Sequence, residues 1–151
     1  MTSRRLVVAL SGGGAKAAAH VGAVRALVEA GLEPTRYVGT SMGAVIGAGF
    51  ASGLSPEAIL DRLVSAGSTG IARAMLAPIG GLYLRSLMRP EPLRRAIERF
   101  IPARRFSELA LPLTVTAVDL DTGELLRFGA GGEDVPLVDA LMASSALPMF
   151  Y

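Results

Sequence analysis

An unbroken apolar run, Leu6 to Leu10, opens the regular pattern of the chain and stops at Ser11-Gly12-Gly13-Gly14. A short apolar run ended by glycines reads as a buried strand. From Ala15 to Ala30 the period changes. Val21, Val24, Leu27 and Val28 recur on one helical face and Gly31 ends the run, which predicts a helix. Arg36 to Thr40, after Pro34, predicts a second short strand, and a Gly/Ala-rich helix follows from about Ser41 to Ser52. Ser55-Pro56-Glu57 has the composition of a helix start, and that helix should run to Ala66. Residues 67–90 are apolar but broken by Gly67, Gly70, Pro78, Gly80 and Gly81, so no element is assigned there. Pro92 to Phe100 predicts a helix. Leu113 to Val118 and Glu124 to Phe128 predict strands flanking a hairpin turn, Asp119-Leu120-Asp121-Thr122-Gly123. Pro136 to Ser145 predicts a last helix. Strand, helix, strand, helix at the start points to an α/β domain whose first two strands are parallel, with the later hairpin antiparallel.

Composition narrows the chemistry. A chain of 151 residues, 51% hydrophobic, is enough for one domain with a real core. With 5% aromatics and no Trp, an aromatic nucleic-acid platform is not expected. The absence of cysteine excludes disulfide frameworks and cysteine zinc sites, and a single histidine argues against a histidine metal centre. No apolar stretch approaches the roughly 18 residues of a membrane span. Arg4-Arg5 before Leu6–Leu10 looks briefly like a secretion signal, but its apolar part falls short of the roughly 7–15 residues such a signal needs. A cytoplasmic protein, with peripheral contact at a membrane, is the expectation. That contact is suggested by residues 71–105, where eight arginines face only Glu91 and Glu98 while Ile71, Met75, Leu76, Ile79, Leu82, Leu84, Leu87 and Met88 supply apolar surface. Such sequence either lies on an anionic bilayer or forms a solvated face with arginine stems packed over a core.

Two glycine-framed turns carry the candidate chemistry. Gly12-Gly13-Gly14-Ala15-Lys16-Ala17 joins a strand to a helix, where backbone N–H groups and the helix N-terminus can hold a phosphate or an oxyanion. A P-loop is excluded because Ala17, not Ser or Thr, follows Lys16. Gly12-x-Gly14-x-x-Ala17 fits a dinucleotide fingerprint formally, yet the second strand ends Val38-Gly39-Thr40-Ser41 without the acidic residue that binds the ribose, and Glu33 precedes it. The second turn, Gly39-Thr40-Ser41-Met42-Gly43, has the Gly-x-Ser-x-Gly spacing of a nucleophile elbow between strand and helix. Gly43, Gly47 and Gly49 would each cost a helix interior about 1 kcal/mol relative to Ala, so this helix should press closely on its neighbours. Together the turns would place an activated oxygen beside a ring of amide donors, which suits acyl transfer. The only histidine, His20, precedes Ser41, so it reads as a packing or hydrogen-bonding residue and a carboxylate becomes the natural base.

With these pieces in order, the chain resembles the bacterial branch of the patatin-like phospholipase family. The matching segments are Ser11 to Lys16, His20-Val21-Gly22, Gly39 to Gly43, Asp119-Leu120-Asp121-Thr122-Gly123-Glu124 and Ala143-Ser144-Ser145-Ala146-Leu147-Pro148-Met149-Phe150. The resemblance implies a three-layer α/β/α domain with a mostly parallel central sheet, cut short at its C-terminal end, so that residues 1–151 form one incomplete acyl-hydrolase domain. It implies Ser41 as the nucleophile of a Ser–Asp dyad and Gly12, Gly13, Gly14 and Ala15 as the oxyanion loop. Lipid or other acyl-ester substrates are implied, with no metal, cofactor or nucleic acid. Two departures are visible. Ala17 stands where the family usually closes its loop with Gly. The family's catalytic Asp opens an Asp-Gly-Gly or Asp-Gly-Ala motif beyond the Ala-Ser-Ser-Ala segment, and no Asp-Gly pair occurs in this chain. Asp119, Asp121 and Asp139 are the available stand-ins, but their positions suit turns and caps. Turnover by the isolated chain is therefore expected to be weak or nil. The alternatives are a catalytically silent lipid- or protein-binding relative and a dinucleotide-binding α/β domain.

Overall fold

The computed structural model describes residues 5–68 and 90–146. In chain order these are β1 (Val7–Leu10), a 3-10 turn (Gly14–Ala18) leading into α1 (Ala19–Glu29), β2 (Arg36–Thr40), α2 (Met42–Ala51) and α3 (Pro56–Ser68). After the undescribed stretch come α4 (Pro90–Phe100), a short 3-10 turn (Phe106–Glu108), β3 (Leu113–Val118), β4 (Leu125–Gly129) and α5 (Leu137–Ser145). The α/β class and every predicted strand are present. Helix bounds shift by a residue or two, and three further details differ. The helix expected from Ala15 starts as a tighter turn because its first residues follow Gly14 at φ 55 and no side chain caps them. Strand β4 begins one residue late because the Glu124 carbonyl instead accepts the Asp119 N–H at 2.9 Å and closes the hairpin. The 3-10 turn at Phe106–Glu108 carries no periodic signal and was not expected.

The four strands lie in the order β1-β2-β3-β4, with β1, β2 and β3 parallel and β4 antiparallel to β3. Registers Leu10 opposite Gly39 and Tyr37 opposite Leu113 bring alternate residues onto one face: Leu10, Tyr37, Leu113, Val115 and Phe128 are all buried there. Because the order never reverses, right-handed crossovers carry both parallel connections to the same side of the sheet. Helix α2 lies on that side against β1, β2 and β3, and α5 lies beside it on β3. Helices α1 and α3 form an outer layer packed on α2 and on each other, and α4 joins α3 to α5.

Helix α2 is consequently enclosed on all sides, and Gly43 through Ala51 are buried without interruption. Its glycines set the spacing. A Cβ on Gly47 would meet Leu10 and Leu113 of the sheet at 3.3 and 3.4 Å, while one on Gly49 would meet Ile59 of α3 and Phe100 of α4, each at 3.3 Å. The helix therefore approaches the sheet with one flank and the outer helices with the other, which explains why a sequence with poor helix propensity is retained. Ile46, Ile59, Leu113, Leu137 and Leu141 complete a core in which each buried side chain contributes roughly 1.5–3 kcal/mol.

The opposite sheet face is open among the described residues: Val7, Val118 and Leu125 are 52%, 58% and 58% exposed. A further helical layer over that face is not contributed by residues 5–68 or 90–146. No helix among the described residues is long and apolar enough to cross a membrane. Of the arginine-rich stretch, residues 71–89 lie outside the described residues.

Candidate active site

Both glycine turns sit at the C-terminal ends of neighbouring parallel strands, β1 and β2, where open α/β sheets hold their ligands. Ser41 is the hinge of the second turn. It has φ 53 and ψ −129, and it is the only non-glycine residue with positive φ among the described residues. Such a conformation costs on the order of 1–3 kcal/mol and persists only where its surroundings impose it. Here the surroundings are the glycines on either side. A Cβ on Gly39 would stand 2.4 Å from Ala44 Cα, and one on Gly43 would stand 2.3 and 2.4 Å from the carbonyl oxygens of Leu10 and Ser11. The chain reverses so tightly that helix α2 rests on the last peptides of β1.

That close contact brings the two turns together. A Cβ built on Gly12 would lie 3.3 Å from Ser41 Cβ and 4.0 Å from Ser41 Oγ, so the backbone of the first loop passes directly beside the hydroxyl. Gly12, Gly13 and Ala15 are exposed, and Ser41, Met42 and Gly14 are half-buried. The loop is fixed from behind. His20, one helical turn on, places Nε2 3.0 Å from the Ser11 carbonyl oxygen; since a carbonyl only accepts, Nε2 carries the proton. His20 thus has the hydrogen-bonding role expected of it. Ala17 is 2% exposed, its methyl taken into the core beneath the loop. Lys16 is exposed.

Two hydroxyl contacts hold the strand ends around Ser41. Thr116 Oγ1 donates to the Gly39 carbonyl at 3.3 Å, and Thr40 Oγ1 lies 2.6 Å from Thr116 Oγ1. From α5, Ser144 Oγ accepts the Ser41 backbone N–H at 2.6 Å and donates to the Thr116 carbonyl at 2.7 Å. Thr116 is not marked out by sequence spacing, and Ser144 is visible only as part of the Ala143–Phe150 segment of the family resemblance, with no role attached to it.

Asp119 and Asp139 are engaged elsewhere. Asp119 Oδ1 accepts the N–H groups of Asp121 and Thr122, both at 2.9 Å, which makes it the organiser of the β3–β4 turn. The Thr122 amide, then that of Asp121, holds this carboxyl below its usual range. Asp121 is exposed on the same turn. Asp139, in the first turn of α5, pairs with Arg94 of α4. It precedes Ser144 by five residues, roughly 7–8 Å along the helix axis. Among the described residues no group of three or more His, Cys, Asp or Glu forms a metal-binding cluster.

Comparison with known proteins identifies the family. The model of the patatin-like phospholipase family matches residues 8–151. An uncharacterised NTE family protein of Mycobacterium tuberculosis is 31% identical over 148 residues, covering 97% of this chain and 39% of the relative. Human patatin-like phospholipase domain-containing protein 6 is 28% identical over 147 residues, covering 96% of this chain and 10% of that protein. The chain thus spans about two-fifths or less of the length of these relatives. Among solved structures, the type III effector ExoU superposes with a TM-score of 0.57 at 24% identity, covering 97% of this chain and 41% of ExoU. ExoU in its complex with SpcU from Pseudomonas aeruginosa gives 0.56 at 22% identity, covering 95% and 38%. The chain belongs to the patatin-like phospholipase family.

Proposed function

We propose that this chain carries the nucleophile and the oxyanion-binding loop of a lipolytic serine acyl hydrolase. The observation that carries this reading is the approach of the Gly12 backbone to the hydroxyl of a serine held at positive φ. Ser41 Oγ attacks the ester carbonyl carbon, and its proton passes to a carboxylate. Charge developing on the carbonyl oxygen is taken by N–H groups of Gly12 to Ala15, the end of a helical turn that leaves such donors unpaired. Each donor aimed at that oxygen is worth on the order of 3 kcal/mol in the transition state. Collapse of the intermediate expels the alcohol with the proton returned from the carboxylic acid, and water then repeats the cycle to release the fatty acid.

The base is an aspartate supplied by polypeptide that follows residue 151 in the longer family members, in keeping with the engagement of Asp119 and Asp139 in a turn and an ion pair. The substrates are acyl esters of lipids. The protein works from the cytoplasm, and exposed Arg95, Arg104 and Arg105 offer basic groups to an anionic bilayer.

A fluorophosphonate probe tests the reading on the full-length gene product. One adduct per molecule on Ser41, abolished in Ser41→Ala, together with fatty-acid release from phospholipid vesicles, is expected. Failure of the full-length protein to label would instead make it a silent lipid-binding relative. Flotation with anionic against neutral liposomes tests the basic surface, and equal binding to both would reject it.

A further inference from the structure

We propose that Ser144 is a positioning residue of the Ser41 site, holding the backbone of the nucleophile in its reactive conformation through the Ser41 amide. This rests on the hydrolase reading above for its chemical consequence, though not for its geometry. The paired part of β2 and β3 ends at Thr40 opposite Thr116. One residue later the chain turns sharply at Ser41, and the amide there leaves the ladder. Ser144 Oγ spans the gap, with 2.6 Å to the Ser41 nitrogen and 2.7 Å to the Thr116 oxygen.

The directions are fixed by chemistry. An amide nitrogen only donates and a carbonyl only accepts, so the hydroxyl proton goes to Thr116 and a lone pair receives Ser41 N–H. A hydroxyl inserted between these two groups widens the end of the β2–β3 pair while keeping both partners satisfied. It also commits the Ser41 N–H, which leaves the Gly12–Ala15 loop to stabilise the oxyanion. Because Ser144 lies in the last turn of α5, that helix becomes a support for the elbow.

The test compares Ser144→Ala, Ser144→Thr and Ser145→Ala with the unmutated full-length protein. Three quantities are read: the second-order rate of Ser41 phosphonylation, its final stoichiometry, and hydrogen exchange in a peptide spanning residues 38–44. Ser144→Ala should slow phosphonylation about tenfold, the loss expected for one hydrogen bond that positions a reacting group, while stoichiometry stays complete. Exchange of the 38–44 peptide should accelerate. Ser144→Thr, which keeps the hydroxyl, should recover most of the rate, and Ser145→Ala should stay within about twofold. Reading the rate only on the fraction that finally labels removes any contribution from unfolded molecules. A Ser144→Ala rate within twofold, or an equal loss in Ser145→Ala, overturns the proposal. If unmutated protein fails to label, the hydrolase reading falls alone. Exchange then decides whether Ser144 holds the turn, and unchanged exchange in Ser144→Ala overturns that as well.

Discussion

The two glycine turns on β1 and β2 need glycine for opposite reasons. At Gly39 and Gly43 a methyl group would collide with backbone at 2.3–2.4 Å, so glycine is there to let peptides touch. At Gly12 the nearest atom to such a methyl is 3.3 Å away, and at Gly14 nothing lies within 4 Å. There glycine keeps space empty beside Ser41 and permits a φ of 55 at Gly14. One turn is closed by the protein itself and the other is left open for something else. Spacing marks Gly39 and Gly43 as the flanks of an elbow, but the open space beside Gly12 and Gly14 is visible only in the structure.

Substitution with alanine should split them. Gly43→Ala drives a Cβ into two carbonyl oxygens of β1 that cannot rotate away, and the loss of stability should be about 3 kcal/mol or more, or folding should fail. Gly39→Ala should behave alike. Gly12→Ala should cost no more than about 1 kcal/mol in urea denaturation, yet its methyl would occupy the space above Ser41 Oγ and slow phosphonylation at least tenfold. Equal destabilisation at positions 12 and 43 would break the distinction. Gly14→Ala is intermediate: it meets no neighbour, but a left-handed alanine costs about 1–2 kcal/mol.

Below the site, Tyr37 sharpens the contrast between the closed core and the open end. Its ring is 3% exposed and stacks on Phe50 with centroids 5.7 Å apart. Burial, with a smaller contribution from Glu33, pushes its phenol up to about 12. A group whose folded pKa is raised contributes its full stability below the unfolded value, near 10, and loses it as pH climbs toward 12. Unfolding measured between pH 8 and 11.5 should therefore show a decline that Tyr37→Phe flattens, approaching about 2 kcal/mol at the upper end. An unchanged slope in Tyr37→Phe would mean the ring is not held in the core.

How much of this was legible beforehand depends on the range of the interaction. Periodicity is local, and it located all four strands and the helices within a few residues. The elbow was legible because steric necessity writes Gly39 and Gly43 at fixed distances from Ser41. Ser144 was not, since its bond to Ser41 joins residues 103 apart and a serine near a helix end usually meets only solvent. The cluster at the other end of the sheet was hidden for the same reason: Arg36 donates to Thr114 Oγ1, 78 residues away, and to the Ala130 carbonyl, 94 residues away. The one-sided placement of the helices needed the strand order as well. Alternation of strand and helix predicts a parallel sheet, but only the sequence β1-β2-β3 without reversal puts both crossovers on one face.

The smallest effects are expected at the acidic residues, and their smallness is informative. The pair of Asp139 with Arg94 is exposed enough for water to screen it, so Asp139→Asn should barely move the denaturation midpoint. Asp119→Ala removes the acceptor of two turn amides on an exposed hairpin. Its carboxyl is held below the usual range, so its stabilising effect is present above the ordinary Asp value near 3.8 and is lost as pH falls through the lower folded value. Acid unfolding should accordingly begin at slightly lower pH relative to the neutral plateau in Asp119→Ala, whose plateau is itself slightly reduced. Neither substitution should alter phosphonylation of Ser41 in the full-length protein. A tenfold loss of labelling rate in Asp119→Ala or Asp139→Asn, with the fold intact, would give that carboxylate a part in the chemistry and remove the need for a base beyond residue 151.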